Sequence, residues 1–189
     1  MFDFLVELDK DIFLWLNGLH HPTLDAIMWW ISAKTTWIPF YLALVVFIAY
    51  RLKWKALPAL LLVFILILIS DQVSVLMKEN IQRFRPSHHP VIGPLVHVIN
   101  DYRGGKYGFV SSHAANSFAL ATYVALLIKK KWLSWLLIIW AIVVSYSRIY
   151  LGVHYPADIT GGAILGVLDA LLVYYLYLFI TRKWFSSVD

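Results

Sequence analysis

The chain has 189 residues, of which 61% are hydrophobic and 14% charged, with a formal net charge of +5. Soluble domains carry about 25% charged residues, so this composition, with a mean hydropathy of +0.72, excludes an ordinary soluble domain and points to a single membrane-embedded domain over residues 1–189. The basic residues sit at the ends of apolar runs, which reads as membrane topology and not as a nucleic-acid surface, and the absence of cysteine excludes disulfides and Cys-based zinc sites.

The first residues, MFDFLVELDKD, lack the basic region of a signal peptide. Leu5, Leu8, Ile12, Leu16 and Leu19 then recur at three- and four-residue spacing, with Asp3, Glu7 and Asp11 on another face. That pattern predicts an amphipathic helix ending near Gly18 and lying in the membrane interface. Residues 24–33 read either as a second short interfacial helix or as the start of the first span. Five apolar runs follow, at 35–50, 56–77, 112–128, 132–147 and 159–180. The predicted fold class is therefore all-α: a polytopic membrane helical bundle of about five transmembrane helices plus the N-terminal interfacial helix. Some runs fall short of the usual span of about 17–25 residues. Flanking Trp, Tyr, Lys and Arg extend them by snorkelling, and nine Trp and eleven Tyr suit two water–lipid boundaries.

The basic links RLKWK and KKK and the tail TRKW follow the first, third and fifth runs. The positive-inside rule places all three in the cytoplasm. The acidic N-terminus and the links at 79–110 and 148–158 then face outward.

Three polar clusters converge on that outer side. KENIQRFRP carries Lys78 and Arg85, GFVSSHA carries Ser111, Ser112 and His113, and SRIYLGVHYPAD carries Arg148, His154 and Asp158. Taken singly, Lys78 and Arg85 read as interfacial cations, the serines as a helix cap and His154–Asp158 as a surface pair. Together they suit phosphoryl transfer. Lys78, Arg85 and Arg148 supply fixed positive charge for the phosphate oxygens. The start of the third span offers backbone N–H groups and the favourable end of a helix dipole, and Ser111 adds a hydroxyl. Two histidines can serve as nucleophile and general acid, with a carboxylate fixing the tautomer of the nucleophile. His154 and Asp158 are four residues apart, and Pro156 between them suits a helix start.

The pattern Lys78-x6-Arg85-Pro86, Ser111-Ser112-His113 and Ser147-Arg148-x5-His154-x3-Asp158 resembles the three-part motif of the type 2 phosphatidic acid phosphatase superfamily. The resemblance implies that His154 attacks phosphorus to form a phosphohistidine, that Asp158 orients it, and that His113 protonates the leaving oxygen and then activates water. It also implies a phosphate site of Lys78, Arg85, Ser111, Ser112 and Arg148, with no cofactor and no metal. The middle motif departs from the family's Pro-Ser-Gly-His: Val110 and Ser112 replace Pro and Gly. A Ser at the Gly position is unsuited to positive φ but comfortable in a first helical turn. The haloperoxidases that share the motif are soluble, unlike this chain.

The expectation is thus a metal-independent lipid phosphatase in a bacterial inner membrane, acting on the periplasmic face. Its partners are a lipid phosphate substrate and membrane lipids. Undecaprenyl diphosphate is the first choice of substrate, with phosphatidylglycerophosphate, phosphatidate and lipid A phosphate as alternatives. A lipid-binding or scrambling protein with a decayed site is the non-enzyme alternative. Asp71 lies seven residues before Lys78 inside the second span and is read as a partner within the bundle or a substrate contact. Arg103 and Lys106 are read as contacts to a second phosphate or to the lipid surface. His20, His21, His88, His89 and His97 lack ligand spacing and read as solvated loop residues.

Overall fold

A computed structural model describes residues 2–185, with side chains described for residues 3–183. The basic tail expected at Arg182–Trp184 lies partly outside those side chains, and residues 1 and 186–189 of the expected domain lie outside the described chain. Seven α-helices follow in order: α1 (Phe2–Asn17), α2 (Pro22–Ser32), α3 (Ile38–Leu52), α4 (Ala56–Ile81), α5 (Ser112–Ile128), α6 (Lys131–Tyr150) and α7 (Pro156–Phe185). The protein is an integral membrane helical bundle. The stretches Lys34–Ile81, Lys131–Tyr150 and Pro156–Lys183 are long and apolar enough to cross a membrane. At 17 residues, α5 is shorter than α4, α6 and α7, and α3 at 15 residues is shorter still.

The helix boundaries follow local chemistry. Residues 34–37 form a 3₁₀ turn, so α3 starts three residues later than expected, with Pro39 in its first turn. The LKWK link turns tightly through Lys53 at φ 50°. α4 runs past Met77 to Ile81, where Gln82 takes a left-handed conformation and its N–H caps the Lys78 carbonyl. Lys78 therefore sits in the last turn of α4, aimed at the end of the bundle. α7 starts at Pro156, the helix start read from the proline, three residues before the apolar run, which puts Asp158 in its first turn.

α5 is the central helix, flanked by α4, α6 and α7. Its alanines at 114, 115 and 119 face Gly162 and Gly166 of α7. A Cβ at Gly162 would lie 2.6 Å from the Ser111 carbonyl oxygen, and one at Gly166 would strike the Ala115 carbonyl oxygen. In lipid, where apolar burial does not drive helices together, such small-residue seams let backbones approach and gain dispersion contacts. Below this seam the core is larger: Leu62, Leu66, Tyr123, Leu137, Trp140 and Val173 interlock from α4 to α7.

The two N-terminal helices lie over the end of the bundle that carries the three motifs. Residues 24–33 resolve as most of a separate helix, α2, and not as the start of α3. In α1 the expected apolar face stays largely uncovered: Leu5, Leu8, Ile12 and Leu19 are exposed, as an interfacial helix requires. The face that meets protein carries Asp9, Phe13 and Asn17. The Asn17 amide donates to the carbonyls of His97, Ile149 and Tyr150, and its oxygen accepts the His97 N–H. A half-polar face buried on protein was not legible from the apolar periodicity.

Candidate active site

Four helix ends meet at the motif end: the C-termini of α4 and α6 and the N-termini of α5 and α7. Together they bring the three parts of the sequence motif, the third shared between α6 and α7. Lys78, on α4, places Nζ 2.6 Å from Ser112 Oγ and 3.2 Å from the Ser74 carbonyl. Arg85 follows in extended backbone before Pro86, its N–H on the Lys106 carbonyl and its Nε on the Tyr107 carbonyl at 3.0 Å. Gly104 accommodates it. That residue has φ +66°, and a Cβ there would lie 2.5 Å from Arg85 Nη1.

Ser111 is fully buried and is the N-cap of α5; its hydroxyl accepts the Ala114 N–H, and its own N–H donates to the Asp158 carbonyl. Ser112 is the first residue of α5 and is not among the positive-φ positions, so the usual glycine is not required for backbone reasons. Its hydroxyl instead fills the space beside Lys78 and lies 2.6 Å from Ser74 Oγ. His113, one residue on, has its ring hydrogen-bonded to the backbone of Ser32.

Arg148, in the last turn of α6, is 3% exposed. Its Nη1 donates to Ser32 Oγ and its Nη2 to the Tyr102 hydroxyl at 3.1 Å. Its Nε is buried without a partner among the described residues. A buried guanidinium donor left unpaired is costly, so this atom calls for an acceptor. The chain then reverses through Gly152 at φ +74°, where a Cβ would meet the His97 carbonyl at 2.8 Å. The turn delivers His154, which is 2% exposed. His154 Nδ1 lies 3.4 Å from Asp158 Oδ2, and the ring is also hydrogen-bonded to the Gly108 backbone. A proton on Nδ1, facing Asp158, is the tautomer that leaves the Nε2 lone pair for attack. Asp158 is fully buried; Oδ2 accepts the Tyr155 N–H at 3.0 Å and Oδ1 accepts from Arg83 Nη1 at 2.8 Å.

The electrostatics favour an anion. Burial, then the Arg85, Arg148 and Lys78 charges, push the His154 imidazole well below its ordinary range. Burial and the Arg148 charge likewise lower Arg85. Three cations thus act on His154, and the carboxylate beside it is engaged by Arg83. A neutral imidazole with a free lone pair stands beside them, as a nucleophile toward phosphorus must.

The sequence-derived site residues are therefore brought together, as a set, at one end of the bundle. Four were not singled out beforehand: Arg83 and Asp9 behind Asp158, and Tyr102 and Ser32 on Arg148. Arg83 lay inside KENIQRFRP, but nothing in its spacing separates it from Arg85. Other polar residues named from the sequence have partners within the chain. Arg103 donates to the Ser87 carbonyl, and Lys106 sits over the rings of Phe84 and Tyr107, so both brace the loop. Asp71 accepts from the Asn116 amide at 3.3 Å, the bundle-partner role. His97 is not a free loop residue: its Nε2 lies 3.1 Å from Asp25 Oδ1, which also accepts the Tyr150 hydroxyl, and His20 stacks on its ring.

Below His113 opens a cavity of about 350 Å³. Its polar mouth is formed by Ser32, Lys34, Ser112, His113 and Asn116, and its walls by apolar residues of α3 to α6, among them Tyr41, Leu44, Leu60, Ile67, Leu120 and Val144.

A family model described as PAP2 superfamily matches residues 56–182. The chain is 39% identical over 189 residues to the lipid A 4'-phosphatase of Porphyromonas gingivalis, covering 98% of this chain and 79% of that protein. It is 37% identical over 179 residues to the lipid A 4'-phosphatase of Bacteroides thetaiotaomicron, covering 93% and 80%. Among solved structures it is similar to a transmembrane PAP2 type phosphatidylglycerolphosphate phosphatase from Bacillus subtilis, with a TM-score of 0.67, 25% identity and coverage of 95% of this chain and 87% of that one.

Proposed function

The chain belongs to the PAP2 superfamily as a membrane lipid phosphatase, and on that premise we propose that it removes a phosphate monoester from a lipid A-type glycolipid through a phosphohistidine on His154. The observation that carries this reading is the position of His113. It lines the mouth of the apolar cavity and lies within electrostatic reach of Arg148 and His154. A lipid phosphate fits these parts: phosphate on the cations, scissile oxygen beside His113, and tail among α3 to α6.

In the proposed cycle, the phosphate takes the free Nε of Arg148, the Lys78 ammonium, the Arg85 guanidinium and the N–H groups opening α5, with the Ser111 hydroxyl beside them. His154 Nε2 attacks phosphorus. Asp158 stabilises the cation that forms as the P–N bond is made. His113 gives a proton to the departing sugar oxygen, since an alkoxide is a poor leaving group. The same group then takes a proton from water, whose oxygen attacks the phosphohistidine and releases phosphate. Every step is supplied by side chains of this chain.

The substrate preference rests on the two lipid A 4'-phosphatases, which share more than a third of their residues with this chain over nearly its whole length. They move lipid A ahead of undecaprenyl diphosphate, the first expectation from the motif alone. The topology proposal places the motif end on the periplasmic face of an inner membrane, from the basic links at Lys53–Lys55 and 129–131. Phosphate release by purified protein in detergent tests the reading against lipid A, undecaprenyl diphosphate, phosphatidylglycerophosphate and phosphatidate. Lipid A should give the highest kcat/KM. A preference for undecaprenyl diphosphate would restore the first expectation, and no release from any of the four would favour the non-catalytic alternative. Single cysteines introduced near His88 should react with an impermeant reagent in spheroplasts, whereas cysteines at 129–131 should not.

A further inference from the structure

Arg83 stands between Lys78 and Arg85 in sequence but turns away from the phosphate pocket. Its Nη1 donates to Asp158 Oδ1 at 2.8 Å and its Nη2 to Asp9 Oδ2 at 2.6 Å. The guanidinium lies 4.2 Å from the Tyr155 ring centroid. Asp9 is itself built in. It is 9% exposed, and its Oδ1 accepts the Ala157 N–H at 2.9 Å, one of the unpaired donors opening α7. Further along α1, the fully buried Phe13 meets the Tyr155 ring edge-on at 5.3 Å, and the buried Asn17 amide donates to the carbonyls at the end of α6. One helix therefore spans the catalytic turn, with Asp9 at the start of α7 and Asn17 at the end of α6.

We propose that Arg83 and Asp9 are a positioning pair for the reaction: Arg83 holds one oxygen of Asp158 so that the other faces His154, and Asp9 holds Arg83. The pair rests on the proposed role of His154 as nucleophile. Its logic is geometric. Asp158 Oδ2 serves both the Tyr155 N–H at 3.0 Å and His154 Nδ1 at 3.4 Å. A small rotation of the carboxylate would lose the longer of the two contacts. The Arg83 bond to the opposite oxygen opposes that rotation, and the planar guanidinium fixes its direction as an ammonium would not. The charges agree as well. Asp9, Arg83 and Asp158 together carry one net negative charge behind His154. That charge favours the cationic phosphohistidine, and the Arg83 guanidinium offsets part of the cost of burying the Asp158 carboxylate. Both Arg83 side-chain hydrogen bonds go to carboxylates, Asp158 and Asp9, so the pair acts through Asp158.

The test uses the purified full chain in detergent, with vanadate binding to count folded sites. Arg83→Gln should slow single-turnover formation of acid-labile phosphoenzyme, per vanadate site, by about 10–100-fold, the range typical of residues that orient a primary ligand. KM and vanadate affinity should change by less than about threefold. Arg83→Lys should recover part of the rate. Asp9→Asn, which keeps an oxygen for the Ala157 N–H, should cost about 3–10-fold and add little in the Arg83→Gln background, because the two act as a unit. A wild-type rate per vanadate site in Arg83→Gln would reduce Arg83 to a structural residue and overturn the proposal. So would weakened vanadate affinity with kcat unchanged, which would mean direct phosphate contact. If Arg83→Gln yields no vanadate sites, Asp9→Asn decides: a wild-type rate there overturns the pair. Label retained in His154→Ala would remove the premise itself, a failure distinct from the others.

Discussion

Replacing Asp158 by Asn isolates the charge that stands behind the proposed nucleophile. The side chain is fully buried and its Oδ2 lies 3.4 Å from His154 Nδ1. For unit charges at that distance, an effective dielectric of about 20 gives about 5 kcal/mol. Arg83 on the other oxygen offsets part of this, and Asp9 returns some of it, which leaves roughly 2.5–5 kcal/mol for stabilising a cationic His154. The tautomer is less at stake than in an isolated pair, because the Gly108 backbone also engages the His154 ring. Asp158→Asn should therefore slow phosphohistidine formation by roughly 10²- to 10³·⁵-fold, mostly through lost charge. The variant should also be less stable by about 1–3 kcal/mol. Its amide must point NH₂ either at the Arg83 guanidinium or at the Tyr155 N–H, and both are donors. The assay is quench-flow trapping of acid-labile label, normalised to vanadate sites, with thermal denaturation in the same detergent. A rate within about threefold of wild type, in protein that binds vanadate normally, would refute the electrostatic reasoning.

His113→Ala should depend on the leaving group: general-acid help is worth about 10²–10⁴-fold, so a lipid monophosphate should suffer far more than a lipid diphosphate, whose leaving phosphate needs no proton. Phosphohistidine should accumulate in that variant with the diphosphate, followed by trapped label; equal damage to both first steps would reverse the roles of the histidines. For pH, burial and the Arg85, Arg148 and Lys78 charges depress His154 well below 6.5, and a depressed imidazole stays neutral as pH falls. Once corrected for the second ionisation of the substrate phosphate near about 6, kcat/KM should show no acid limb between about pH 7.5 and about pH 6, whereas a limb centred near 6.5 would mean an ordinary histidine. Activity should survive EDTA and be inhibited by vanadate, since Lys78, Arg85 and Arg148 already neutralise the phosphate; loss in EDTA restored by magnesium would show that these cations do not suffice.

The sequence by itself determined the apolar bundle and marked the candidate site residues. Long apolar runs can satisfy their backbone in lipid only as helices, so the five runs were readable, and α5 at Ser112–Ile128 was read to the residue because a serine cap opens it and the KKK link follows it. The candidate site residues were readable because Lys78, Arg85, His113, Arg148, His154 and Asp158 stand in a pattern that resembles the superfamily's three-part motif. The tertiary structure alone decided what stands behind and beside them. Asp9 and Arg83 are 74 residues apart and meet at 2.6 Å, and Ser32 reaches Arg148 across 116 residues. Such contacts follow from how α1 and α2 fold back over the bundle, and no local periodicity records that. The amphipathic pattern of α1 showed which face meets lipid. It could not show that the other face, through Asp9, Phe13 and Asn17, closes over the catalytic turn, because a polar residue looks the same in sequence whether it meets water or a buried arginine.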